Sequence, residues 1–188
     1  FFGKAENETV TVAVTVTTTP VASMSAVANI AAPSEHNMYY SMRLYFDNGG
    51  GPCYIVSVGP SSSGAVLDTD LQTGLDNLEA FDEPTIYLFP EGQGIAAANN
   101  YYGLIKNAIN QCAKLQDRFT LVDVYDQSSS STSTNITNFR GLGGLTTNDN
   151  LNYAAAYYPN LKTNYDFQYL DTATDVTITT DGAAAAPV

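Results

Sequence analysis

The feature that most restricts the fold is a repeated alternation of helix-like and strand-like segments between residues 34 and 158. Ser34 is placed to cap a helix whose positions Met38, Met42, Tyr45 and Phe46 share one face of a 3.6-residue turn. Asn48-Gly49-Gly50-Gly51-Pro52 stops it, since glycine accepts the left-handed backbone of a helix end and proline cannot continue the helix. Residues 53–58 (CYIVSV) then read as a short apolar strand. After a loop at 61–64, Asp70 caps a second helix with Leu71, Gly74, Leu75 and Leu78 inward, and Pro84 leads into a strand at 85–89. Asn99 or Asn100 opens the most strongly patterned helix. Tyr101, Leu104, Ile105, Ala108, Ile109, Cys112 and Leu115 make its apolar stripe, and Lys106, Asn110, Lys114 and Asp117 face water. A strand at 119–124 follows, then a polar Ser/Thr loop at 127–134, a short helix around Phe139-Arg140-Gly141 and a fourth strand at 153–158.

Continuous apolar strands separated by amphipathic helices predict an α/β fold, a mainly parallel sheet with helices on both faces. Two other segments differ. Residues 9–19 alternate Val10, Val12, Val14 and Val16 with Thr or Ala up to Pro20, and residues 175–180 (DVTITT) alternate similarly. A period of two marks strands with one buried face, so these predict a separate antiparallel hairpin or sheet at the edge. Residues 21–32 fit a second strand or a loop. The expected organisation is a β-rich accessory segment at 1–33, an α/β core domain at 34–170, and a strand with a flexible tail at 171–188.

Charge narrows the function classes. Seven Lys and Arg oppose 19 Asp and Glu, a net charge of −12, which repels phosphate backbones and anionic headgroups. Because only 14% of residues are charged and 44% are hydrophobic, a disordered acidic tail is excluded and a packed core expected. No apolar run approaches the roughly 20 residues of a membrane-spanning helix. No basic segment precedes an apolar run as in a secretory signal. The start at Phe1-Phe2-Gly3 and the alanine-rich end suggest a piece of a longer protein. Cys53 and Cys112 read as two small buried hydrophobes in a reducing compartment, with a single bridge as the alternative. One His and no Cys-x-x-Cys pair disfavour zinc.

Candidate chemistry is sparse. Glu91, Asp123 and Asp126 follow predicted strands, where open parallel sheets gather functional groups, and three carboxylates could hold Mg²⁺ or move protons. No phosphate-binding lysine or partner base accompanies them, so they read as loop and cap carboxylates. His36, the one imidazole, falls in a first helical turn, and no Gly-x-Ser-x-Gly elbow presents a nucleophile. Gly141-Leu142-Gly143-Gly144 lacks a dinucleotide-binding register. Asn7-Glu8-Thr9 and Asn135-Ile136-Thr137 are formal glycosylation sequons. No residue is assigned a catalytic, cofactor-binding or metal-binding role. The pairs Tyr39-Tyr40, Tyr101-Tyr102 and Tyr157-Tyr158 stand out among 13 Tyr and no Trp. Neighbours on a helix diverge by about 100°, so some of these rings are expected at the surface, where tyrosine suits interfaces.

Residues 39–58 (YYSMRLYFDNGGGPCYIVSV) resemble the helix, glycine turn and strand of contractile phage tail sheath proteins and of the sheaths of related injection particles. The likeness continues at 75–91 (LDNLEAFDEPTIYLFPE), 109–124 (INQCAKLQDRFTLVDV), Phe139-Arg140 and 153–163 (YAAAYYPNLKT), so it covers about residues 36 to 165. The resemblance implies a structural subunit that stacks as hexameric rings around an inner tube and contracts to drive that tube through a target envelope. It implies no enzymatic activity and no nucleotide, metal or other cofactor. Its expected partners are other sheath subunits, a tube protein and a baseplate, first in the bacterial cytoplasm and then in a virion or tail-like particle. Residues 6–33 and 172–188 match none of these stretches. Without the family's linking arms, the chain is expected to be monomeric or weakly associated.

Two other readings compete. A small α/β hydrolase-like enzyme would place Ser or carboxylate groups at the strand ends, in a concave pocket with perturbed ionisation. A secreted or surface binding module would suit the Thr/Val-rich strand and the scarcity of lysine, and an oxidised Cys53–Cys112 pair would favour it.

Overall fold

The structure, a computed structural model, describes residues 5, 7–30, 33–61, 64–126 and 131–184. In chain order the first elements are strands β1 (Glu8–Thr17) and β2 (Ser23–Ile30), and helices α1 (Met38–Asp47) and α2 (Asp68–Leu78). Strand β3 (Ile86–Tyr87), a 3₁₀ turn (Pro90–Gly94), helix α3 (Ala98–Leu115) and strand β4 (Phe119–Asp123) follow. Helix α4 (Thr132–Gly141), a 3₁₀ turn (Leu151–Tyr153), β5 (Ala154–Tyr157), β6 (Tyr169–Thr180) and β7 (Ala183–Ala184) complete it. The class is α/β in the broad sense, with four α-helices, one mixed sheet and one parallel sheet among the described residues. Two compact units divide the chain: Glu35–Thr163 forms one, and the segments on either side of it form the other. Parts of the loops expected at 61–64 and 127–134, and both extreme ends, lie outside the described residues.

The flanking unit is a four-stranded sheet in the order β2-β1-β6-β7. Valine at every second position gives β1 one apolar face, and β2 is the second strand that residues 21–32 allowed. They pair antiparallel without a register break, Val10 opposite Ile30 through Thr17 opposite Ser23. The expected antiparallel arrangement fails at the next pair. β1 and β6 run parallel, Val12 opposite Val176 and Val14 opposite Ile178. A parallel pair needs a long crossover, and here the whole Glu35–Thr163 unit lies within it. Glu8 is buried at the start of β1, its Oε1 accepting from the Ser34 N–H at 2.9 Å and its own N–H donating to the Gln168 carbonyl at 2.7 Å. The β6–β7 turn is Asp181-Gly182 with φ of 47° and 83°, the left-handed backbone that a two-residue hairpin of this kind demands.

The Glu35–Thr163 unit holds the parallel sheet, in the order β3-β4-β5. Tyr87, Thr120 and Ala154 share one face through the registers Tyr87 opposite Thr120 and Thr120 opposite Ala154. α3 packs on β4, and the core gathers Leu75, Tyr87, Ile105, Ile109, Cys112 and Val122 into one cluster. The α3 stripe is buried as its spacing predicts, from Tyr101 to Cys112. Leu115 lies half-buried, one residue before Gln116 ends the helix in left-handed backbone at φ 63°. The opposite sheet face is only partly covered, with Ile86 and Tyr157 exposed.

Several boundaries move. α1 is capped at Asn37 rather than Ser34 and buries no residue fully. α2 begins at Asp68 after Leu67, so Asp70 lies inside its first turn, where a carboxylate favours the positive helix end. The strand expected at 85–89 reduces to Ile86–Tyr87, since Pro90 starts the 3₁₀ turn. The helix near Phe139 begins at Thr132, where the Ser131 hydroxyl caps the Thr134 N–H at 3.2 Å. Residues 53–58 form no strand: Cys53 and Tyr54 are exposed, and no ladder reaches the segment. Its Val56 and Val58 instead lie against α2 at Gly74, where a Cβ would come 2.7 Å from Val58. Apolar content made this segment strand-like, but among the described residues no neighbouring backbone pairs with it as a strand.

Candidate functional site

The three carboxylates singled out by sequence are used separately. Glu91 sits in the Pro90–Gly94 turn and ties two groups at the start of α1. Its Oε1 accepts from the Met38 N–H at 2.7 Å, and its Oε2 lies 2.9 Å from His36 Nδ1. Glu91 therefore does from a distant segment what an N-cap side chain does locally, satisfying a free helix N–H. His36 accordingly differs from the surface residue expected, since its ring is only 16% exposed. Asp126 is held by its neighbours: its N–H donates to Gln93 Oε1 at 3.0 Å, and its Oδ1 accepts from Asn135 Nδ2 at 2.5 Å. The carbonyl of Asp123 accepts from the Tyr101 hydroxyl at 2.8 Å. Partial dehydration raises the Asp123 carboxyl pKa, although the residue keeps a solvent-facing edge. Among the described residues no group of three His, Cys, Asp or Glu side chains could hold a metal ion.

The polar chemistry inside the Glu35–Thr163 unit is concentrated elsewhere, on Arg118. Its side chain is fully buried between α3 and β4. The guanidinium donates to the Leu78 carbonyl at 3.0 Å, to the Phe81 carbonyl at 2.6 Å and to the Tyr87 hydroxyl. Tyr87 donates in turn to Gln111 Oε1 at 2.6 Å, and Gln111 Nε2 donates to the Leu75 carbonyl at 2.9 Å. One cation thus collects carbonyls at and beyond the C-terminal end of α2, where the helix dipole is negative. Asp117 completes the charge balance, with Oδ1 at 2.7 Å from Arg118 Nε. That bond lowers the Asp117 carboxyl pKa and raises the already high guanidinium pKa. Burial raises the Tyr87 hydroxyl. This arrangement ties elements together and offers no open position to a substrate. A lone arginine between a helix end and an apolar strand, in a chain with seven basic residues, is the sequence signal that could have revealed it.

A second cluster is aromatic. Tyr101 and Tyr102 are both buried, so the surface rings expected among the tyrosine pairs are found elsewhere. This pair is buried because α3 is covered on two sides. Tyr101 stacks on Tyr125 at a ring distance of 5.6 Å, while Tyr102 meets Phe139 of α4 at 5.8 Å. The Tyr102 hydroxyl accepts from the Tyr125 N–H at 3.0 Å, and the Tyr125 hydroxyl donates to the Ile95 carbonyl. Dehydration raises the pKa of Tyr101 and of Tyr102, so both remain neutral hydrogen-bonding groups. Tyr39 and Tyr40 are half-buried and Tyr157 is 60% exposed.

The remaining candidates lose their chemistry on inspection. Gly143 and Gly144 have φ of 62° and 63°, and Gly143 lies so close to α3 that a Cβ would be 2.6 Å from Tyr102 backbone carbon. The glycines serve that close approach. Cys53 is exposed rather than buried, and Cys112 is buried with its thiol pKa raised by desolvation; both are free thiols. The sequon asparagine Asn135 is only 2% exposed and bonded to Asp126, whereas Asn7 is exposed beside a notch of about 390 Å³ lined by residues 166–170. No helix among the described residues is long and apolar enough to cross a membrane. No protein-family model matches the chain, and no curated protein sequence matches it either.

Proposed function

We propose that the chain is the core of a contractile tail sheath subunit, a structural protein that polymerises around an inner tube and contracts to drive it through a target envelope. The observation that carries this reading is the ordered series of sheath-like stretches at 39–58, 75–91, 109–124, 139–140 and 153–163, all of which fall within the single unit Glu35–Thr163. A sheath subunit moves between extended and contracted lattices as a nearly rigid block, so its core must hold its own geometry while its neighbours change. The Arg118 and tyrosine ties suit that requirement. In this reading the parallel sheet carries helices on both faces, and the chain acts as no enzyme and needs no cofactor. Its partners are other sheath subunits in hexameric rings, an inner tube protein and a baseplate, with no nucleic acid or membrane. It is made in the bacterial cytoplasm and ends in a virion, prophage-derived tail or injection particle. Alone, the chain is monomeric or weakly associated. Electron microscopy of the full-length protein co-expressed with its neighbouring tube protein tests the proposal. Striated tubular sheaths are expected, and their repeated absence would overturn it.

A further inference from the structure

The mixed sheet has two edges treated very differently. At one, β7 pairs only with Thr179 and Thr180 of β6, and the stretch of β6 it leaves uncovered carries the exposed Asp175. At the other, β2 presents eight residues, of which seven are exposed and only Ile30 is half-buried. Proteins blunt such edges with charges, proline, bulges or brevity. β2 (SMSAVANI) has none of these, since its ladder to β1 is unbroken and residues 9–33 contain no Asp, Glu, Lys, Arg or His. In a chain of net charge −12 this is a long stretch where a like-charged copy can approach without facing a charge. Its exposed side chains include Met24 at 76% and Val27 at 63%.

We infer that β2 is a self-association edge, where β2 of a second copy of this chain pairs antiparallel to form one continuous eight-stranded sheet. A two-fold axis perpendicular to the sheet brings identical edges together and keeps each face with its like. Met24, Ala26, Ala28 and Ile30 line up with the alternating valines of β1 through Val16 opposite Met24 and Val10 opposite Ile30. The apolar faces of both copies then join, and a register shifted by one residue would break that continuity. The longest registers that keep it pair seven residues, Ser23–Asn29 or Met24–Ile30, and place Val27 within one residue of the axis. The contact closes on itself, because a two-fold axis uses the same edge of both copies. One strand pair alone falls below the roughly 1,200 Å² of a standard interface, so the dimer is weak and concentration-dependent. The inference stands on the sheet alone and holds or fails independently of the sheath reading.

Sedimentation velocity on the 188-residue chain from micromolar to millimolar concentration is the test, joined to amide hydrogen exchange. The weight-average mass is expected to rise towards twice the monomer value, with exchange slowing in β2 and not in β3, β4 or β5. Val27→Lys, at an exposed edge position, should weaken association by about tenfold or more through like-charge repulsion at the axis. Thr15→Lys adds the same charge on the same face of the interior strand β1, pairing opposite Ser25, and should leave association unchanged. Circular dichroism confirms that both variants fold. A monomer at every concentration, species that grow beyond the dimer, or a dimer indifferent to Val27→Lys would each overturn the inference.

Discussion

Replacing Arg118 with methionine tests whether one buried cation holds α2 to the α3–β4 layer. Methionine keeps most of the apolar stem and removes every donor. The Phe81 carbonyl loses a 2.6 Å bond to a charged donor, worth about 2 kcal/mol. The Leu78 carbonyl keeps its bond from the Phe81 N–H at 3.2 Å, so its loss is nearer ~1 kcal/mol. The Tyr87 hydroxyl still donates to Gln111 and loses only its acceptor bond, again ~1 kcal/mol. The Asp117 side chain is 42% exposed, so water replaces its partner at little cost. The sum, about 4 kcal/mol, falls to about 3 kcal/mol because a dehydrated charge no longer has to be buried. For a chain of this length that corresponds to roughly 6–12 °C in Tm. Urea denaturation followed by circular dichroism measures it. Arg118→Lys keeps the charge without the planar fork and should lose about half as much. Combining Arg118→Met with Tyr87→Phe should cost less than the sum of the two single changes, because both act on one bond. If Arg118→Met unfolds within about 1 kcal/mol of the parent, the guanidinium is a passenger and the reasoning is wrong.

Two glycines that lie close together in space, Gly143 and Gly103, should respond with opposite signs. Gly143→Ala forces a Cβ into φ 62° and to 2.6 Å from Tyr102, costing about 2–4 kcal/mol by thermal denaturation, whereas Gly103→Ala, in α3 with nothing within 4 Å, should gain about 0.5–1 kcal/mol. An aromatic disulfide reagent should titrate one thiol at once, Cys53, and reach Cys112 only on unfolding; two fast thiols would contradict the burial of Cys112. Asp181 accepts from the Thr18 hydroxyl and, at 2.8 Å, from the Thr18 N–H, and the hydroxyl bond is the main reason its carboxyl pKa is lowered. A lowered folded pKa means stabilisation present above the ordinary aspartate range and lost as pH falls through the folded value. The protection factors for amide exchange in the β6–β7 turn should therefore fall at acid pH, and Asp181→Asn should flatten that dependence.

How far the sequence reveals this molecule depends on whether the determining contact is local. The α3 stripe is local, because seven positions repeat at the period of one helix face, and the structure buries six of them. The Asn48-Gly49 stop is local too, with Gly49 at φ 85°. The tyrosine pair at 101–102 diverges around its helix, and only the tertiary arrangement shows that both directions are covered. CYIVSV failed for the same reason in reverse, since apolar content cannot supply a partner strand. Glu91 was visible as a loop carboxylate, but its bonds to His36 and Met38 span more than 50 residues. Arg118 draws its acceptors from residues 37 and 40 positions away.

The parallel pairing of β1 with β6 shows why the flanking unit was the harder half to read. The alternation of Val10 to Val16, and of Val176 and Ile178, fixes which face is apolar but not the direction of a partner strand. Direction is set by how the chain returns, and here it returns only after Glu35–Thr163 has been completed. The entropy of closing so long a loop grows only as the logarithm of its length, so the insertion is tolerated. What it costs is specificity, because a strand arriving from far away carries no turn to set its register. The register must then come from the strands themselves. The Thr18–Asp181 bonds anchor the regular ladder at its end, while Glu8, bonded to Ser34 and Gln168, holds the strand starts beyond a register shift between Glu8 and Val10. Polar contacts at both ends of a Val/Thr ladder do what a hairpin turn does for β1 and β2. A slip of one residue would break the Thr18–Asp181 bonds and turn the apolar side of β6 to the polar face.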